Sequence, residues 1–227
     1  MASITKSTIG RKFAMALSAM FLLVFLLMHL SVNMLSVISE EAFNTASYFM
    51  GYNPFVQGLM QPILLVAVIF HFVMGFILEI KNNSARPVKY AVNGSSHNSS
   101  WASRNMIISG AVILAFLALH MYDFWVHEMS YKYLPGDGNP NNTTRFWGEL
   151  NDKFENIVRV GFYIVAFVLL GLHLAHGFQS SFQSVGARHP KYTPFIKAFG
   201  KWYSILIPLG FIFIALFHYF DLTPLFQ

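Results

Sequence analysis

Phe162-Tyr163-Ile164-Val165-Ala166-Phe167-Val168-Leu169-Leu170-Gly171-Leu172-His173-Leu174-Ala175-His176-Gly177 decides how this chain is read. The run is apolar, free of acids, lysine and arginine, and far longer than a buried strand. It contains two histidines. A bilayer core about 30 Å thick needs roughly 20 apolar residues per helix, so the run belongs to a membrane span. An ionisable side chain inside such a span is costly and points to function.

Four more stretches have the same character. The expected spans are about 13–38, 55–80, 106–126, 157–182 and 199–220. Composition agrees: 55% of the 227 residues are hydrophobic and only 11% are charged. A soluble domain carries about 25% charged residues. The fold class is therefore all-α, an integral membrane bundle of five transmembrane helices. No segment is long enough for a separate soluble domain, so 1–227 reads as a single membrane domain. The first span is too long for a signal-peptide core, and no small-x-small cleavage site follows it. Pro62 and Pro208 fall inside spans and suggest kinks, which a membrane bundle tolerates.

Charge sets the expected direction. Lys6, Arg11 and Lys12 precede the first span. Lys81, Arg86, Lys89 and Arg104 lie between the second and third, and Arg188, Lys191, Lys197 and Lys201 between the fourth and fifth. The opposite side holds most of the acids. The positive-inside rule then places the N-terminus in the cytoplasm and the C-terminus outside. Trp101 and Trp202 suit the inner interface; Tyr52, Trp125 and Tyr219 suit the outer one. The longest outer loop, about 129–152, has room for a short surface helix. The net charge of +5 is too small to indicate nucleic acid binding. The chain has no cysteine, which excludes disulfides, thiolate metal sites and covalent haem attachment.

Each of the first four spans carries histidine: His29, His71, His120, and the pair His173 and His176. At a rise of 1.5 Å per residue, His29 and His120 lie roughly 24–25 Å from the inner end of their helices. His71 and His173 lie about 13–15 Å from that end. Four helices thus offer two pairs at two depths. Paired neutral imidazoles on opposing helices suit the axial positions of two b-type haems, and such an iron favours electron transfer over oxygen chemistry. A lone membrane histidine is more often a hydrogen-bonded packing residue or proton carrier than a haem ligand; four at two matched depths favour ligation. Both inner candidates are followed four residues later by glycine, Gly75 and Gly177, leaving room for a flat macrocycle beside the ligand. His176 stays open between replacing His173, binding a propionate and lining a quinone pocket. His127, His218, His97 and His189 read as interfacial or solvated. Asp123, one turn beyond His120, reads as interfacial rather than paired.

The more specific strings are His71-x-x-x-Gly75 leading into Asn83-Ser84-Ala85-Arg86-Pro87-x-x-Tyr90, and His173-x-x-His176-Gly177-Phe178-Gln179-Ser180-Ser181-Phe182-Gln183-x-x-Gly186, followed by His189-Pro190-Lys191-Tyr192. With these, nearly the whole chain resembles the single-subunit, two-haem cytochrome b membrane anchor of succinate dehydrogenase and fumarate reductase. The resemblance implies two haem b groups, held by His29 with His120 and by His71 with His173, the latter favoured over His176 by the glycine that follows. It also implies a flavoprotein and an iron–sulfur partner on the cytoplasmic face, electron exchange with a quinone (menaquinone being the expected one), and a multi-pass place in a bacterial inner membrane, with a dimer of the complex open to it. Succinate chemistry would belong to the flavoprotein. One departure concerns direction. Residues 46–61 contain no acid where some fumarate reductases use one to deprotonate quinol, which favours succinate oxidation.

Overall fold

The computed structural model describes residues 7–84, 105–134, 139 and 142–222. The Arg86-Pro87 string, His97, Trp101 and Arg104 lie outside them. Among the described residues the regular structure is all helical, with no strand, and five helical stretches are long and apolar enough to cross a membrane.

Helix α1 spans Thr8–Ile38 and opens with Ser7, whose hydroxyl accepts from the Gly10 N–H at 2.9 Å. Ser39 ends it and starts α2, Glu40–Tyr52, accepting from the Ala42 N–H. Glu40 and Glu41 in the first turn of α2 complement its dipole. The sharp break at Ser39 lays α2 against the C-terminal end of α1. A π-helical turn, Val56–Met60, leads into α3, Gln61–Ser84. Pro62 therefore falls at the junction of a widened turn and a regular helix, where its missing N–H costs least.

Helix α4 spans Met106–His120 and runs through a second π-helical turn, Met121–Val126, into α5, His127–Tyr133. The third apolar stretch thus extends to Tyr133, beyond the expected Val126. The surface helix expected in the following loop is present as α6, Arg145–Phe154, with Leu150 and Phe154 buried. Helix α7 covers Ile157–Ser184, capped by Asn156. Helix α8 covers Thr193–Tyr219 and begins earlier than the expected Phe199. Pro194 in its first turn is a favourable helix start.

The helices do not pack evenly. Helices α7 and α8 form the closest pair, with α6 across one end. Pro208 deprives the Ser204 carbonyl of its helical N–H partner. Gly171 lies so close that a Cβ there would sit 3.0 Å from that carbonyl oxygen. Gly200 admits the Phe178 ring in the same way. Within the apolar window of α8, 44% of residues are buried; for α1 the figure is 6% and for α3 it is zero. Side-chain packing thus consolidates the α7–α8 half and leaves the ring-bearing faces of α1, α3 and α4 less closed.

A polar cap ties α2, α5 and α6 together at the end of the bundle where α1 finishes. Glu128 bridges Lys132 at 2.8 Å and also pairs with Arg145, which grips Glu149 at 2.7 Å. Lys132 donates to the Gly51 carbonyl. Burial alone would lower the Arg145 guanidinium, but the hydrogen bonds it donates to Glu128 and Glu149 outweigh it and hold its pKa above the usual arginine value. His218 joins the same end. Its Nε2 lies 2.9 Å from Ser36 Oγ and its Nδ1 2.5 Å from Asn151 Oδ1. It is buried, contrary to the interfacial role expected from its place near a span end, because α6 covers it. His127 is the exposed partner of Glu149 at 3.6 Å, and His189 stays exposed in the α7–α8 connection.

Candidate functional site

The structure brings together the two histidine pairs expected from depth. His29 of α1 faces His120 of α4, ring centroids 5.7 Å apart and planes at 83°. His71 of α3 faces His173 of α7 at 6.3 Å and 65°. Ser18, which touches His71, precedes His29 on α1 by about 16 Å of helix, so the pairs form two tiers along the bundle axis. The tier nearer the start of α1 holds His71 and His173.

Each tier is built from neighbouring elements. Phe25 stacks on His29, one turn earlier on α1, at 5.4 Å. Phe116 stacks on His120, one turn earlier on α4, at 5.8 Å. Each phenylalanine covers one face of its histidine ring. In the other tier, Ser18 Oγ lies 3.3 Å from His71 Nδ1, and Ser109 Oγ lies 3.2 Å from His173 Nδ1. The His173 ring lies over Gly110 of α4, where a Cβ would meet its Cε1 at 3.6 Å, an ordinary contact distance. The glycines that follow the inner histidines are bordered by methionines, Gly75 by Met15 and Gly177 by Met106.

The donor set narrows what the pairs can bind. Among the described residues no group of three or more His, Asp or Glu side chains could hold a bare metal ion. Two facing imidazoles suffice only when another group fills the remaining coordination positions, as a porphyrin does. The spacing suits this: two metal–imidazole bonds of about 2 Å plus the two ring radii put centroids about 6 Å apart. All four rings are half-buried rather than sealed by side chains, and His120 Nδ1 is buried with no partner among the described residues. These residues fit a bis-imidazole haem in each tier. His176 is half-buried and, among the described residues, makes no ring contact with another imidazole. Of the two α7 histidines, His173 is the one whose ring faces His71.

Asp123 departs from its expected interfacial place. It is 1% exposed. Tyr163 of α7 donates to its Oδ2 at 2.9 Å, and Arg159 Nε lies 3.3 Å from the same oxygen. The π-helical turn beginning just after His120 shifts the helix phase and turns Asp123 towards α7. Hydropathy does not reveal such a turn.

The serines were also missed, although a signal for them exists. Met-x2-Ser-x6-Phe-x3-His occurs twice, as Met15, Ser18, Phe25, His29 and as Met106, Ser109, Phe116, His120. Its partner pattern His-x3-Gly occurs as His71, Gly75 and as His173, Gly177. Helices α1 and α3 thus repeat in α4 and α7, and each half contributes one histidine to each tier.

Comparison with known proteins gives one directly relevant likeness. The chain is 27% identical over 163 residues to the succinate dehydrogenase cytochrome b558 subunit of Bacillus subtilis (strain 168), covering 69% of each chain. No family model matches, and no solved structure matches. The likeness supports the succinate dehydrogenase cytochrome b family.

Proposed function

We propose that this chain is the di-haem cytochrome b anchor of a succinate:quinone oxidoreductase, carrying electrons between an iron–sulfur subunit and a membrane quinone. The observation that carries the reading is the pair of facing imidazoles in each of two tiers on four helices. The Bacillus subtilis likeness supports the choice of complex.

His29 and His120 would hold one haem b, and His71 and His173 the other. A haem held by two imidazoles supplies a one-electron carrier with no open coordination position. The protein supplies orientation and dryness. Phe25 and Phe116 brace the rings of one tier, while Ser18 and Ser109 meet the ring nitrogens of the other. Arg11, Lys12, Arg188, Lys191, Lys197 and Lys201 gather at the end where α1 starts, which we assign to the cytoplasm of a bacterial cell by the positive-inside rule. That end would receive the flavoprotein and iron–sulfur partners, and His71 with His173 would be the tier nearer to them. The opposite tier would be nearer the outside.

Purification of the native complex in mild detergent tests this. The chain should co-purify with a flavin-bearing and an iron–sulfur subunit, contain two haem b, and show the b-type absorption bands on reduction by succinate. A molybdenum- or nickel-bearing partner would place it in a different respiratory complex, and a haem-free preparation would overturn the reading.

A further inference from the structure

Ser18 and Ser109 are both buried in otherwise apolar helices, 9% and 6% exposed. A hydroxyl has one proton and two acceptor sites. In each serine the proton is committed. Ser18 donates to the Met15 carbonyl at 2.8 Å, and Ser109 to the Met106 carbonyl at 2.9 Å. Only acceptor capacity then remains for the histidine nitrogen that each serine meets. The contacts at 3.3 and 3.2 Å must therefore run from His71 Nδ1–H to Ser18 Oγ and from His173 Nδ1–H to Ser109 Oγ. With the proton on Nδ1, Nε2 of each ring keeps its lone pair. The arrangement appears once in each half of the repeat, in the same register.

The other tier lacks this device. Among the described residues His29 Nδ1 meets the Asn33 amide Nδ2 at 3.4 Å, a nitrogen that also donates to the His29 carbonyl at 2.8 Å and has no lone pair to accept a ring N–H. His120 Nδ1 is buried without a partner among the described residues. The two tiers therefore differ at the atom through which a protein tunes an axial imidazole. A hydrogen bond from the distal ring N–H raises ligand basicity and fixes ring orientation.

We propose that Ser18 and Ser109 are positioning residues of the inner tier: each accepts the Nδ1–H of the facing histidine, presents Nε2 to the haem iron, and lowers the midpoint potential of that haem alone. This rests on the proposed haem ligation. A more basic axial ligand stabilises ferric over ferrous iron, which sets the sign.

The test uses the whole purified complex carrying Ser18→Ala, Ser109→Ala, both together, or Ser18→Thr. Haem content is measured first; two haems in the unsubstituted complex establish the ligation reading independently. Spectroscopic redox titration then follows each haem. The expected result is an upward shift of the inner haem potential in each alanine variant, larger in the double variant. The outer haem should stay unmoved, and Ser18→Thr, which keeps a hydroxyl, should titrate near the unsubstituted protein. Selective loss of the inner haem in the alanine variants, with retention in Ser18→Thr, also supports the proposal. An unchanged inner potential with both haems present would overturn it. So would an equal shift of both haems, or a threonine variant that behaves like alanine.

Discussion

His29 stands edge-on to His120, with 5.7 Å between ring centroids and 83° between planes, although the two belong to different halves of the chain. Phe25 and Phe116 stack against the two rings from one turn earlier on the same helices. The pair is held from both sides by the same local device, so each histidine has little freedom to turn away from its partner. The same holds less tightly for His71 and His173, where serines rather than aromatic stacks restrain the rings.

Replacement of single histidines should therefore remove haems by tier. His29→Ala or His120→Ala should cost one haem, and His71→Ala or His173→Ala the other, read as haem per polypeptide and as loss of one component in the reduced spectrum. His176→Ala should retain both. A variant at His176 that loses the inner haem while His173→Ala keeps it would reverse the assignment on α7.

The depth of these histidines was legible because a membrane helix has a fixed rise and direction. Counting residues from the basic ends was enough to match His29 with His120 and His71 with His173. The residues that support them were not legible in the same way. Ser18 and Ser109 are small hydroxyls in apolar helices, and one sequence position alone reads as a serine bonding its own helix. Only the repeated Met-Ser-Phe-His register marks them. Asp123 escaped because a π-helical turn changes the facing of residues without changing hydropathy. His218 escaped because the covering helix α6 is distant in sequence from α8.

Asp123 should contribute to stability through α7. Asp123→Leu leaves the Tyr163 hydroxyl and the partly exposed Arg159 without their shared acceptor and should cost about 2–3 kcal/mol. Asp123→Asn keeps an oxygen for Tyr163 and should cost about 1 kcal/mol, since Arg159 remains 30% exposed and finds water. Thermal unfolding followed by circular dichroism in detergent should rank the leucine variant below the asparagine variant. Equal melting temperatures for all three proteins would show that the buried pair is not coupled to the fold.

His218 should behave as a clasp. It joins the ends of α1, α6 and α8 through Ser36 and Asn151, and Trp147 Nε1 also donates to the Ser36 carbonyl at 2.9 Å. His218→Phe should lower stability by about 1–3 kcal/mol by leaving buried polar groups unpaired, with both haems retained. Protease sensitivity of the α5–α6 connection should rise in parallel. Loss of a haem in this variant would give His218 a role beyond packing.

Gly171 should tolerate no larger side chain. A Cβ would stand 3.0 Å from the Ser204 carbonyl and 3.3 Å from Pro208 Cγ, both fixed by the helix rather than carried on a flexible chain. Gly171→Ala should cost about 1–3 kcal/mol by prying α8 from α7. The melting temperature in detergent measures this, and a neutral result would mean that α8 shifts freely along α7.

Iron-edge anomalous diffraction from crystals of the purified protein tests the central claim most directly. Two iron peaks are predicted, one between the rings of His29 and His120 and one between those of His71 and His173. Iron at any other pair of residues, or none between these rings, would contradict the account.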